Sequence, residues 1–382
     1  MIRLLNKLLR INLRVIILTL LLLVLFDVAL QQAIIPYYLD SNRSSGRIRG
    51  TATAPAIKRL PADDANTLSL WKAQLAEEQG FTVVFLGDSI DHGGGVAAEH
   101  NTLPAFFSQR LSLLYPEKDI KVFNFSLPGC TPADTYNILS FIADIKPDLV
   151  IYDVNMGWFG TKNEMEHPLL AELTEVEEEH SPPLPLPAKA LTGAEIEKIL
   201  TSYATDYWSL YRNRIFLNYV WFGKPLAEHF QIKTTAEELD TDAGNLLSDE
   251  EIYKPWYLKD FDDLKKAEGK LGHFTLDEHN PHWGMYNRLL EKLAQENINS
   301  VFFMIPRNRT LYEKYNLLDE KVLNDQQEIL AAAARKYGAV VYDYTFAVND
   351  LYFTDSVHLT AEGNRDLAYL LVADIVEDNL MK

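Results

Sequence analysis

The sequence predicts an α/β domain built on a parallel sheet covered by helices on both faces, with a helical insertion and an apolar membrane anchor ahead of it. Three observations point there. Short apolar runs alternate with helix-length amphipathic stretches from Val83 onward, which is the pattern of strand–helix–strand units. The rhythm stops after Gly160 and resumes near Gly284. A basic, acid-free opening, MIRLLNKLLRINLR, precedes an apolar run.

That run, VIILTLLLLVLFDVALQQAII, extends from Val15 to Ile35, long enough to cross a bilayer at roughly 20 residues. The rival reading is a cleavable signal peptide, which wants small residues three and one before the cut; the sites near Ala29 and Ala33 have Asp27 or Gln31 at the outer position. An uncleaved anchor is therefore expected, covering 1–36 with its basic tail. Basic residues before the span place the body outside the cytoplasm, periplasmic or extracellular. Asp27 is costly near the bilayer centre, up to ~3 kcal/mol. It fits either a helix shifted so that Asp27 nears the outer interface or a contact with another membrane protein.

From 37 to 66 the chain is rich in Ser, Thr, Ala, Pro and Arg without a sustained period, and it reads as a linker. The domain proper is then 67–382. Strands are expected at Val83–Leu86, Ile120–Phe125, Leu149–Val154, Val301–Ile305 and Ala339–Tyr342. Helices are expected at Leu103–Leu114, Ala133–Ile145, Tyr286–Glu296, Asp319–Tyr337 and Ala361–Val376. The insertion, about 160–284, holds the acidic run EVEEE, a proline-rich stretch at 182–187 and an aromatic helical stretch at Ala194–Phe222. Aromatics at helical spacing are read as core.

Of 382 residues, 47% are hydrophobic, ample for a packed core. The formal charge of −18 divides into +7 up to Arg59 and −25 beyond it. So acidic a body repels phosphate, and no nucleic-acid partner is expected. The single cysteine, Cys130, excludes an internal disulfide and reads as a packed residue. His279 and His282 in DEHNPHW lack the repeated ligand spacing of a metal site. Neither metal nor cofactor is expected.

The chemistry gathers at one sheet edge. In an open parallel sheet, ligands bind beyond the carboxyl ends of the strands. Gly87-Asp88-Ser89 ends the first predicted strand, Gly129 follows the second, Asn155 the third, and Asp355 and His358 precede the final helix. A serine hydroxyl needs a base to become a nucleophile. His358 supplies one with a near-neutral pKa, and Asp355, three residues earlier, orients the ring. The backbone N–H groups of Ser89 and Gly129, with the Asn155 amide, suit a developing oxyanion. Asp88 reads as a turn-stabilising acceptor, and His92-Gly93-Gly94-Gly95 as a loop beside the cleft. The bland alternative, in which Asp355 and His358 only cap the last helix, leaves Ser89 unexplained.

With GDS after the first strand, a glycine after the second and a terminal D-x-x-H, the chain resembles the SGNH (GDSL-type) hydrolases over Phe81–Phe159 and about Ser300–Val376. That resemblance implies a flavodoxin-like three-layer α/β/α sandwich, with nucleophile, acid and base on Ser89, Asp355 and His358. The third family block, G-x-N-D, is altered here to Asn155-Met156-Gly157-Trp158. Without Asn155 two backbone donors would remain. A narrower similarity, carried by MGWF, VFFMIPRNRTLYEKYNLL and YFTDSVHLT, is to the membrane-anchored DltD-type proteins. Those are implicated in esterifying cell-surface polymers, often beside a membrane-bound acyltransferase. Together these imply an esterase acting on acyl esters, acetyl first among them, of a surface glycan or polymer. The alternatives are an O-acyltransferase with such a membrane partner, or a non-catalytic binding protein.

Overall fold

The structure is a computed structural model, and it describes residues 13–34, 65–161, 167, 208–212, 253–259 and 270–381. The chain forms two compact units: one of Met1–Arg47 with Pro183–Lys233, the other of Ile48–Pro182 with Thr234–Lys382.

In the first unit, helix α1 spans Leu13–Ala29 and a π-helical turn, Leu30–Ile34, continues it. The expected membrane-spanning helix is not found: among the described residues no helix is long and apolar enough to cross a membrane. Asp27 finds its partners within the chain. Its carboxylate accepts the Leu210 backbone N–H at 3.0 Å and the Gln31 side-chain amide at 3.3 Å. Leu210 belongs to one helical turn, Ser209–Arg212. The rest of the expected helix at 194–222, the acidic and proline-rich stretches, the basic tail and nearly all of the linker lie outside the described residues.

In the second unit, α2 covers Ala65–Glu77, a helix that straddles the expected end of the linker and the start of the domain. Its Leu68, Trp71 and Leu75 are buried, one turn apart along a single face. Strand β1 follows at Phe81–Leu86, then the short helix α3 at Ser89–His92 and α4 at Leu103–Leu114. Next come β2, Ile120–Asn124, and α5, Pro132–Ile142, which is extended by a 3-10 turn to Ile145. β3 is Leu149–Val154. After the excursion come α6 at Pro281–Glu296, β4 at Ser300–Met304, α7 at Arg309–Lys314, α8 at Glu320–Lys336, β5 at Val340–Asp343 and α9 at Ala361–Glu377.

The five strands are parallel in the order β2-β1-β3-β4-β5. That is the flavodoxin-like order, in which the sequence of strand addition reverses beside β1 while every strand runs the same way. β1, β3 and β4 are buried on both sides, as their largely apolar runs require. One face packs Val84, Val150 and Phe302 against α2, α5, α6 and α8. The other packs Phe85, Ile151 and Phe303 against α4 and α9. Side chains fix the starts of four of these helices: Thr131 and Asp134 form a capping box on α5, Asn280 caps α6, Asp319 caps α8 and Thr360 caps α9. Cys130 is buried, as a small packed residue.

Part of the predicted insertion belongs to this unit. The Trp256 N–H donates to Phe353 O at 3.0 Å, and Lys259 Nζ to Thr354 O at 2.8 Å. His282 is buried, its Nε2 2.9 Å from Thr161 Oγ1, whereas the His279 ring is open to solvent.

Candidate active site

The site begins where β1 stops. Gly87 takes φ +152, and a Cβ there would lie 2.0 Å from Asp153 Oδ1 on β3. Only glycine lets the chain turn so close to its neighbour. The Asp88 N–H then donates to both Asp153 carboxylate oxygens, at 3.0 and 3.2 Å. Asp88 Oδ1 caps α3 by accepting the Ile90 N–H at 3.0 Å. Ser89 thus stands at the first position of a helix, held from both sides.

Asp355 and His358 arrive from the loop after β5, closed by an antiparallel bridge between Phe353 and Leu359. Asp355 Oδ1 accepts the N–H groups of Val357 and His358 at 2.8 and 2.7 Å. Its Oδ2 lies 2.6 Å from His358 Nδ1. His358 Nε2 lies 2.8 Å from Ser89 Oγ, across 269 residues of chain. The structure therefore joins Ser89, His358 and Asp355 in one continuous hydrogen-bonded chain.

Burial pushes the Asp355 carboxyl up, but the His358 ring and the N–H donors around it outweigh this and hold it below its usual range. Burial likewise pushes His358 down, and the Asp355 carboxylate, aided by Asp88, lifts it above its usual value. Each partner stabilises the other's charged form.

Gly129 sits at φ +75 on the loop after β2. The Leu127 N–H donates to Gly87 O at 3.1 Å, tying that loop to the serine turn. His167 Nε2 lies 2.7 Å from the Pro128 carbonyl oxygen. In a trans peptide the next N–H points opposite to that oxygen, so the Gly129 N–H faces away from His167. The His167 N–H in turn donates to Asp134 Oδ1 at 3.1 Å.

Asn155 caps the 3-10 turn Met156–Gly160, its Oδ1 accepting the Gly157 N–H at 2.9 Å. Its Nδ2 donates to Asp88 Oδ2, which also accepts Trp158 Nε1 at 3.1 Å. Asp88 is therefore more than a turn former: it clamps the altered third block onto the serine turn. Beneath it lie two further buried carboxyls, Asp153 and Asp91. Burial and the neighbouring Asp88 charge push both well above the usual carboxylate range. Sequence reasoning passed over His167, Asp153 and Trp158. Asp153 carried a signal, an acid inside an otherwise apolar strand.

A flavodoxin-like sheet with Ser, His and Asp linked at its carboxyl edge resembles the SGNH type of protein. The family model described as DltD protein matches residues 223–364 of the chain. No curated protein matches it. Among solved structures, the acetylxylan esterase Axe2 from Geobacillus stearothermophilus is similar at 13% identity and a TM-score of 0.40, over 78% of this chain and 94% of that one. LAE5, an alpha/beta hydrolase enzyme from the metagenome of Lake Arreo, Spain, is similar at 13% identity and a TM-score of 0.36, over 78% and 98%. TesA is similar at 12% identity and a TM-score of 0.35, over 77% and 97%.

Proposed function

We propose that the protein is a membrane-associated, extracytoplasmic serine esterase that removes acyl groups, acetyl in the first instance, from esters of a surface glycan or polymer. The observation that carries this reading is the hydrogen-bonded chain Ser89–His358–Asp355. Ser89 Oγ attacks the ester carbonyl carbon while its proton passes to His358 Nε2. Asp355 stabilises the imidazolium and keeps Nδ1 protonated. The tetrahedral oxyanion is met by the N–H groups of Ser89 and Gly129 and by Asn155 Nδ2. Collapse expels the alcohol, which takes the proton from His358 and leaves an acyl-serine. Water, deprotonated by the same ring, then releases the acid and restores Ser89. The residues serve this chemistry without a cofactor.

Membrane association is supported by α1. Its Leu18, Leu21, Leu22 and Leu25 are more than half exposed, and side chains this apolar call for a lipid cover. The full chain is expected in the membrane fraction, its body open to protease only from outside the cytoplasm. Soluble protein beginning beyond Ala29 would rule this out.

A second reading, transfer of the acyl group to a polymer hydroxyl with a membrane-bound acyltransferase as partner, is supported by the DltD match at residues 223–364. The acyl-serine is common to both readings; what differs is whether water or a hydroxyl reaches it. Labelling the full chain in detergent with a fluorophosphonate tests the nucleophile, and an acyl-acceptor screen on labelled-competent protein separates the two fates. Protein that binds no phosphonate and turns over no ester would leave a non-catalytic binding role.

A further inference from the structure

Arg307 lies three residues beyond β4, at the same sheet edge as the serine turn, and the reaction above makes no use of it. It is only 5% exposed. Its backbone N–H donates to Thr345 O at 2.7 Å, and Nη1 donates to Tyr312 Oη at 3.0 Å. Nη2 donates to Asn155 Oδ1. No carboxylate stands within ion-pair distance of this guanidinium among the described residues. A buried cation without a direct counter-ion is costly, so its persistence beside Asn155 asks for a reason.

The reason lies in how the carboxamide is held. Asn155 Oδ1 accepts from Arg307 and from the Gly157 N–H, while Nδ2 donates to the Asp88 carboxylate. All three partners demand the same orientation. A flipped amide would set its N–H groups against two donors and its oxygen against a carboxylate. We propose that Arg307 is a positioning residue that locks the Asn155 carboxamide with Nδ2 toward the serine turn and polarises it as an oxyanion donor. This rests on Ser89 being the nucleophile. Nδ2 carries two hydrogens, and Asp88 takes one; among the described residues no second acceptor meets the other. The charge-assisted bond at Oδ1 draws electron density from the amide, which strengthens the remaining N–H as a donor. Arg307 and Asp88 thereby form a charge pair with Asn155 as the bridge. The altered third block keeps its donor through an arginine supplied from the loop just beyond the next strand, β4.

The test is a double-mutant cycle on the full chain in detergent, with p-nitrophenyl acetate as substrate and fluorophosphonate labelling of Ser89 beside it. Arg307→Met is expected to lower kcat by about tenfold to a hundredfold with little change in KM, since an interaction made in the transition state is lost. In the Asn155→Ala background the same change is expected to cost less than about twofold, because the residue it acts through is gone. A residue that merely supports the fold would cost as much in both backgrounds. Loss of the cation also moves the rising limb of the pH profile upward, because the guanidinium opposes protonation of His358 while Asp355 and Asp88 favour it. Arg307→Lys, which keeps charge and a donor, is expected to retain more activity, and it carries the same cycle if Arg307→Met fails to fold. Losses that multiply, or Arg307 variants as fast as wild type, overturn the inference alone. A wild-type protein that neither labels nor turns over overturns the esterase reading, and this one with it.

Discussion

The imidazole of His358 lies against Gly94, so closely that a Cβ at position 94 would stand 2.8 Å from Cδ2 and 3.0 Å from Nε2. The nitrogen facing Ser89 is the one such a methyl group would displace. Gly94→Ala is expected to reduce kcat/KM by roughly a hundredfold, the scale of a misplacement near 1 Å. The cost should fall on chemistry rather than on folding, because the ring sits at the sheet edge outside both apolar clusters. Turnover measured beside a thermal melt decides this, and a variant of normal rate would show that the ring has room to move.

Substitutions in the hydrogen-bonded chain should not add. Ser89→Ala is expected to abolish phosphonate labelling and to lower turnover by about 10⁴-fold or more. His358→Ala should lose about as much, and Asp355→Ala somewhat less, since it orients and stabilises rather than reacts. Asn155→Ala should cost less than Ser89→Ala, because two backbone donors remain. Equal losses at Asn155 and Ser89 would make the amide indispensable to the oxyanion site.

The pH dependence follows from the pair. A general base works when neutral, and the Asp355 carboxylate favours the charged ring, so the rising limb of kcat/KM should lie above the unshifted histidine value of about 6.5. Asp355→Asn removes that attraction while burial continues to disfavour the cation, so the limb should move down. A limb that stays put in Asp355→Asn would detach the profile from His358.

Asp91 offers a stability test separate from activity. Both carboxyl oxygens are buried without a hydrogen-bond partner among the described residues, and burial, then the Asp88 charge, raises its proton affinity. A carboxyl whose folded pKa exceeds its unfolded one contributes stability below the unfolded value, about 3.9, and that stability is lost as pH rises toward the folded pKa. Asp91→Asn titrates no proton there. Its thermal midpoint relative to wild type should therefore climb between pH 4 and pH 8; a constant difference would mean that Asp91 does not titrate in this range.

The fold was legible because its signals are local. Val83–Leu86, Leu149–Val154 and Leu103–Leu114 are runs whose period and punctuation fix strand or helix without tertiary help. Ser89, Asp355 and His358 were legible for a related reason: each sits in a short motif where a predicted strand runs out, and a parallel sheet brings such ends to one edge. The membrane span found no support among the described residues, where the α-helix gives way to a π-helical turn after Ala29. Asp27 has partners that only folding supplies, Leu210 lying 183 residues away. Arg307 and His167 were equally invisible, since each is a lone polar residue whose meaning lies in what it faces. Arg307 did offer one clue: like the others, it closely follows a strand's carboxyl end.

The contact between His167 and the Pro128 carbonyl bears on how this protein can be recombined. The long excursion after β3 looks, from sequence, like a removable module beginning near residue 160. Yet His167, near its start, holds the carbonyl oxygen of the peptide that carries the Gly129 N–H. A graft joined ahead of His167 would import a foreign brace for the reaction centre, whereas a seam placed beyond it would leave that brace native. Swapped excursions are thus expected to change rate as well as preference whenever the junction falls on the wrong side of one histidine.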